Sequence, residues 1–559
     1  MKKIMITSIA ALILASQTIT VDGAEKVKTN SEIVHKRSFL PTFGMPAFKA
    51  REYSGPVMKE NVLIVMMDFS DSKQSTLKPE MGHYTPGTSA SRNYYPKYTK
   101  EHYRDVFFAD RFKGPDGKSY RSVKNYYEIS SGGSFTLGGQ VTGWYRAKKP
   151  LSYYGVNEDS NDDAHVHELI MEAAARVAKD KSVNLSKYDR YDYYDRDQDG
   201  KVNEPDGIID KFIVVFSGIG ESEGGGALGQ NSIWEHVSEA GSKPHMIPNT
   251  YSRTSKFPGH RLAIGEYGVM AEDSSVGTFT HEFGHMLGLI DEYDTSRSAN
   301  SHAGEPVRYW SLMSYGADAG KRVGSKPVGL SPLAKSDLQM MYGGNWLRGS
   351  VIKSTDITTK GKTYLLDQAS RKGRNNDILR IELPPIKKKL KSGRYRNYQQ
   401  YYLVEWRTHT GIDQGLSEIY DPFGRNYYGK GMLVWYVNEY YRNNSSLSSH
   451  PGKSLVGVVD ASPKTLISKT DNAPTTDIQI FDAPFNTKRY GNYNKLSNYF
   501  FKKKNTDPVP VFSDRNYTQA KLDDLMLPEA GRVLPQYGIK MRVVDQNKEG
   551  TVAKIKIYK

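Results

Sequence analysis

Apolar residues along this 559-residue chain gather into a few short, unbroken runs and one clear helical stripe. Val62-Leu63-Ile64-Val65-Met66-Met67 and Lys211-Phe212-Ile213-Val214-Val215-Phe216 are continuous apolar runs of strand length. Such runs fit buried strands. Between Asp162 and Lys179, Val166, Leu169, Ile170, Ala173, Ala174 and Val177 recur at three- and four-residue spacing, which predicts an amphipathic helix backing the sheet. Ser122 to Tyr145 places Ser-Gly-Gly and Gly-Gly turns between β-favouring pieces such as Ser134-Phe135-Thr136-Leu137, so a twisted sheet edge is expected there. Gly218 to Gly229 is glycine-rich and reads as a mobile loop. A second helix is expected from near Gly277 to Gly288.

The character changes after Tyr342-Gly343-Gly344. Tyr401 to Trp406, Met432 to Val437, Leu455 to Val459 and Thr551 to Tyr558 are strand-like, with no strong helical period around them. The expected architecture is an α/β (α+β) domain over 56–349, with a twisted sheet, a backing helix and a second helix carrying the chemistry. A β-rich region follows over 350–559.

The N-terminus changes the picture of compartment. Lys2 and Lys3 precede an apolar run from Ile4 to Ala15, followed by polar Ser16, Gln17 and Thr18. That pattern predicts a signal peptide over 1–24 and an exported, extracellular protein. Residues 25–55 read as a short lead-in or vestigial propeptide. No later stretch is apolar enough to span a membrane. The chain has no cysteine, which excludes disulfides and thiolate metal ligands. Its formal charge is +15, concentrated in Lys387, Lys388, Lys389, Lys391, Arg394 and Arg396 and again in Lys502, Lys503 and Lys504. No nucleic-acid-binding signature accompanies these runs, so they read first as solvated loops and second as a surface attracting acidic surfaces or substrates, and no nucleic-acid partner is expected. A monomer is expected.

The candidate chemistry lies in His281-Glu282-Phe283-Gly284-His285. Histidines four apart on a helix share one face, which suits two corners of a tetrahedral zinc site. Glu282, beside the first histidine, is placed to act as general base toward a metal-bound water rather than as a ligand. H-E-x-x-H alone arises by chance at roughly the per cent level in a chain this long. Gly288 and Asp291 extend the pattern to H-E-x-x-H-x-x-G-x-x-D, about a hundred times rarer. A glycine at 288 lets the chain turn sharply through positive φ, and Asp291 falls where the returning chain can offer a third ligand. Met313, in Ser311-Leu312-Met313-Ser314-Tyr315, resembles the methionine turn beneath the zinc of metzincins. Tyr315 is then placed to approach the metal or the reacting carbonyl oxygen. Glu305 is an alternative third ligand, disfavoured by its Gly304 and Pro306 neighbours.

A second metal is suggested by Asp195, Asp197, Asp199, Lys201, Asn203 and Asp206. D-x-D-x-D-G followed by oxygen donors at the ninth and twelfth loop positions suits calcium, with Lys201 contributing its carbonyl. Asp206 replaces the usual long glutamate, so the loop is EF-hand-like only.

Taken together these segments resemble the immune inhibitor A family of secreted bacterial metallopeptidases. Val62 to Asp71, Ser122 to Tyr145, Asp195 to Gly220, Ile233-Trp234-Glu235-His236, Ser331-Pro332, Tyr402 to Glu405 and Gly431 to Trp435 carry the likeness beyond the zinc motif. The resemblance implies a metzincin catalytic domain, endopeptidase activity on protein or peptide substrates, and Asp291 as third ligand. Two other functions fit the same residues: a metallohydrolase acting by identical zinc chemistry on cell-wall peptides or another amide, and a non-catalytic adhesin or binding protein with a relic site. The intact set of His281, Glu282, His285, Asp291 and Met313 disfavours the latter.

Overall fold

The computed structural model describes residues 55 and 57–559 apart from 81–86, 159–161, 194–198, 200, 241–242, 296–304, 372–373, 420–427, 446, 464–465, 470–473, 476–478, 489–499, 502–507 and 525–530. The proposed signal and nearly all of the lead-in lie outside the described residues.

Five strands form the first sheet: β1 (Met58–Asp68), β2 (Phe135–Arg146), β3 (Phe212–Phe216), β4 (His236–Glu239) and β5 (Glu266–Ala271). Their order is β2-β1-β3-β5-β4. The first four are parallel and β4 is an antiparallel edge. The main helices of this half are α1 (Lys100–Phe108), α2 (Val123–Ser130), α3 (Val166–Val177), α4 (Val276–Met286) and α5 (Pro332–Tyr342).

Alternation along β1 sorts its side chains between two cores. Val62, Ile64 and Met66 pack with Tyr103 and Phe107 of α1, Tyr126 and Tyr127 of α2, and Phe279 and Phe283 of α4. Leu63, Val65 and Met67 face the opposite way, onto Leu169, Ile170, Ala173 and Val177 of α3. The predicted amphipathic helix therefore backs the sheet, and the histidine helix lies across its other face.

Two expectations need correction. Ser122 to Tyr145 is a sheet edge only from Phe135; before it lies α2, whose N-terminus is capped by Ser122 accepting from the Asn125 amide at 3.1 Å. Burial of Tyr126 and Tyr127 there outweighs the β preference of the aromatic pair. The glycine-rich segment is not a loose loop. It folds back through single turns at Glu221–Glu223 and Gly229–Asn231. At Gly225, with φ +67°, a Cβ would stand 1.8 Å from the carbonyl oxygen of Gly229, so close backbone approach requires the glycine.

The second half contains a five-stranded sheet of β6 (Gly349–Lys353), β7 (Ile378–Glu382), β8 (Gln400–Arg407), β9 (Gly431–Asn438) and β10 (Val456–Val459), in that order. One face, with Leu403, Leu433, Trp435, Val437 and Val458, packs on Val307, Trp310, Val328 and Leu333 of the first half. The other face, with Tyr402, Val404, Met432 and Val434, packs on a four-stranded sheet that includes Lys540–Gln546 and Val552–Tyr558. The β-rich region is thus built onto the first half through a continuous core. The basic run forms an exposed hairpin pairing Ile386–Lys389 with Tyr395–Tyr398, consistent with solvated surface. Lys502, Lys503 and Lys504 lie outside the described residues. Among the described residues no helix is long and apolar enough to cross a membrane.

Candidate active site

Helix α4 starts at Ser275, whose hydroxyl accepts from the Thr278 amide at 3.0 Å. It ends where Gly288, with φ +95°, reverses the chain. Two glycines let the helix pack tightly. A Cβ on Gly277 would stand 1.9 Å from the Ala317 carbonyl oxygen, and one on Gly284 would stand 2.7 Å from the Met313 sulfur. Met313 is fully buried under the helix.

The one-turn spacing brings His281 Nε2 to 3.1 Å from His285 Nε2. Asp291 Oδ1 lies 3.4 Å from the first and 3.2 Å from the second. Four ligands at zinc bond lengths of about 2.0–2.1 Å in a tetrahedron stand roughly 3.3 Å apart, so the three atoms have the spacing of three tetrahedral corners. Among the described residues this is the only group of three imidazole or carboxylate ligands within 4.8 Å of one another.

Each imidazole is oriented from behind. His281 Nδ1 donates to the Leu312 carbonyl and His285 Nδ1 to the Leu289 carbonyl, both at 2.9 Å. A carbonyl can only accept, so the proton sits on Nδ1 and the Nε2 lone pairs point at each other. Asp291 Oδ1 is buried and receives no well-aligned hydrogen bond. Three electron-rich atoms at this distance repel unless a positive charge lies among them.

The electrostatics say the same. Burial opposes the charged form of His285, yet Asp291 pushes it up to about 10. Burial also opposes charge on Asp291, but His285 and His281 hold it well below the usual carboxylate range. The cluster favours one added cation, a proton or a metal ion. Burial pushes the Glu282 carboxyl up, while the histidines pull it down.

The other predicted residues fall variously. Tyr315 stands with its ring 4.2 Å from the Arg308 guanidinium and 6.2 Å from the Tyr293 ring. Glu305 is not in the cluster; its carboxylate accepts from the Asp294 amide at 3.3 Å. Asp195 and Asp197 of the acidic loop lie outside the described residues. Asp199 accepts from the Lys201 amide at 2.8 Å and pairs with its ammonium. Asn203 is exposed, and Asp206 is buried with Oδ1 accepting from the Ile208 amide at 2.7 Å.

Sequence reasoning missed two neighbours. Lys211, buried at the foot of β3, donates from Nζ to the Met286 carbonyl at 2.7 Å and so caps the last turn of α4. A lysine opening a wholly apolar strand was the available signal. Tyr293, two residues past Asp291, is half-buried beside Asp291 and Glu282; desolvation and these two carboxylates push its phenol well above its usual range.

Comparison with known proteins places the chain in a family. The family model of the immune inhibitor A peptidase M6 catalytic domain matches residues 49–347. The model of the immune inhibitor A-like metallopeptidase VEG domain matches residues 395–555. The chain is 27% identical to a pre-pro-metalloprotease PrtV of Vibrio cholerae serotype O1, over 91% of this chain and 71% of that protein. It is also 27% identical to an immune inhibitor A of Bacillus thuringiensis subsp. alesti, over 91% of this chain and 94% of that one. With a match spanning more than half its length, the chain belongs to the immune inhibitor A peptidase family, M6, and is a metallopeptidase.

Proposed function

We propose that this chain is a secreted zinc endopeptidase of the metzincin type, with His281, His285 and Asp291 as metal ligands and Glu282 as general base. One observation carries the reading. Both histidines are locked in the Nδ1–H form with Nε2 facing a buried carboxylate oxygen, all three atoms 3.1–3.4 Å apart. The nitrogen-and-oxygen donor set suits zinc, and three protein ligands leave the fourth position for chemistry. We assign the catalytic domain to 56–349 and the β-rich region to 350–559. Residues 1–24 are assigned as the signal, on Lys2, Lys3 and the apolar run after them, and 25–55 as a lead-in.

His281, His285 and Asp291 would hold a zinc ion, which would supply a Lewis acid there and lower the pKa of water to about 7. Glu282 takes a proton from the attacking water and passes it to the departing amine. Its burial suits this role, because a raised carboxyl pKa lies nearer the working pH. Met313 forms the apolar floor, and its neighbour Leu312 fixes the His281 ring. Tyr315 donates a hydrogen bond from its phenol to the developing oxyanion. The substrates are proteins or peptides, processed by a monomer.

The test is Glu282→Gln. It should keep a full complement of zinc and lose casein hydrolysis by about 10²–10⁴-fold. Near-wild-type hydrolysis by this variant would overturn the mechanism.

A structural calcium in the loop of Asp195, Asp197, Asp199, Lys201, Asn203 and Asp206 belongs to the same proposal, on the D-x-D-x-D-G spacing. Calcium withdrawal at constant zinc should then lower the melting temperature. Identical melting with and without calcium removes that part.

A further inference from the structure

The residue after Asp291 is held at both of its backbone polar groups. The Glu292 amide donates to the Met313 carbonyl at 2.8 Å. The Glu292 carbonyl accepts from Asn444 Nδ2 at 2.6 Å, across 152 positions of sequence. Asn444 belongs to the β-rich region and is 1% exposed. Its other side-chain atom, Oδ1, accepts from the Val456 amide at 3.0 Å, the first residue of β10. Asn444 therefore links the peptide beside Asp291 directly to a strand of the second sheet.

Neighbouring contacts reinforce this link. The Leu447 amide donates to Asp294 Oδ2 at 3.1 Å. The Thr295 and Ser445 hydroxyls bond each other. The Val458 amide donates to the Pro306 carbonyl at 2.9 Å. The Glu292 side chain accepts from Ser331, the N-cap of α5. The loop carrying Asp291 is thus clamped by the methionine turn, by α5 and by the β-rich region. The first two clamps belong to the first half; the third does not.

We propose that Asn444 is a positioning residue for the metal site, through which the β-rich region holds Asp291 in place to bind zinc. The physical reason lies in what a carboxylate ligand on a reversing loop needs. The histidines are placed by a helix, whose own hydrogen bonds fix their spacing. Asp291 lies outside the helix; Leu289 is still tied back to α4 at its amide and carbonyl, but beyond it the Glu292 peptide groups are held by other segments. Partners that orient metal ligands from outside commonly change metal affinity about 10–100-fold when removed. Asn444 satisfies a buried carbonyl one residue from the ligand with one atom and is itself anchored by the other. The inference rests on Asp291 being a zinc ligand.

Asn444→Asp and Asn444→Ala test it in the full-length protein. The first keeps shape and the acceptor for Val456 but cannot donate to Glu292 in its charged form; the second removes both bonds. Zinc release to a chelating dye should be about tenfold faster or more in both. The visible spectrum of the cobalt-substituted protein should shift, reporting altered ligand geometry. Met541→Ala, a fully buried change in the outer sheet, is the control for general destabilisation. It should lower the melting temperature and leave the cobalt spectrum and the zinc release rate as they are.

A measurement on the wild type keeps the idea testable if the variants fail to fold. Coupling is reciprocal, so zinc bound at Asp291 must stabilise the segment holding that loop. Chelation should raise hydrogen exchange in peptides spanning 443–458 more than in those spanning 540–558. Wild-type release rates and spectra in folded Asn444 variants, or no zinc-dependent exchange over 443–458, would overturn the proposal. Asp291→Ala separates the two levels. Zinc held as tightly as in wild type by that variant means the ligand assignment has failed. Zinc lost from Asp291→Ala but retained normally in the Asn444 variants means this inference alone has failed.

Discussion

Gly284 sits inside α4 between the two histidines, where an alanine should favour the helix by roughly 1 kcal/mol. The structure predicts the opposite outcome for Gly284→Ala. The added Cβ would stand 2.7 Å from the Met313 sulfur, 3.1 Å from the Tyr127 hydroxyl and 3.3 Å from the Met313 methyl. Comfortable contacts are about 3.5–4.0 Å, so the sulfur must retreat by about an ångström. Met313 is fully buried, and Tyr127 is held by its bond to the Thr280 carbonyl at 2.8 Å. Overpacking of this kind costs about 1–3 kcal/mol, which outweighs the helical gain and leaves a net loss of up to about 2 kcal/mol. That corresponds to a melting temperature lower by a few degrees. A displaced Met313 also drags the adjoining Leu312 carbonyl, which orients His281, so zinc release should accelerate. The decisive measurement is a double-mutant cycle with Met313→Ala, read by denaturant unfolding of zinc-loaded protein in a Glu282→Gln background that prevents self-digestion. With the thioether gone, Gly284→Ala should be neutral or stabilising, giving a coupling of about 1–3 kcal/mol. If the two changes add within about 0.5 kcal/mol, or Gly284→Ala alone raises stability, the packing argument is wrong.

Lys211→Met removes a charge-assisted hydrogen bond to the buried Met286 carbonyl and should destabilise the protein by about 1.5–3 kcal/mol in urea unfolding; an unchanged midpoint would show that the cap contributes nothing. Burial pushes the Glu235 carboxyl up to about 7, above its unfolded value near 4.5, so the folded state binds the extra proton and this group's contribution fades as pH rises from 4.5 through 7. Glu235→Gln does not titrate, and its stability relative to wild type should increase between pH 5 and pH 8, by at most about 1.4 kcal/mol per pH unit; a constant difference across that range contradicts the raised pKa. Tyr315→Phe should lower kcat by about 10²–10³-fold at unchanged zinc content, and an unaffected kcat would remove the phenol from the mechanism.

The second helix and the shared face of its two histidines were legible from local spacing. His281 and His285 share a face because the α-helix repeats every 3.6 residues, and Gly288 marks the reversal because positive φ favours glycine. The backing helix and the strands at 62–67, 212–216 and 432–437 were legible for the same kind of reason, since period and apolar run length are properties of neighbouring residues. Helix α2 was not, because its aromatic pair favours strand locally and only burial against α4 and β2 makes it helical. The basic run pointed to solvated surface, and its exposed hairpin agrees.

The sequence by itself determined which side chains could bind a metal and which faces had to be buried, because both depend on residue type and short-range periodicity. Only the tertiary structure decided what holds those side chains in register. Leu312 behind His281, Lys211 under the end of α4, Ser331 on Glu292 and Asn444 on the peptide beside Asp291 are partners from 31 to 152 positions away. A hydrogen bond between such distant segments needs only one donor and one acceptor brought together by tertiary packing. Nothing in the spacing of either segment encodes that meeting.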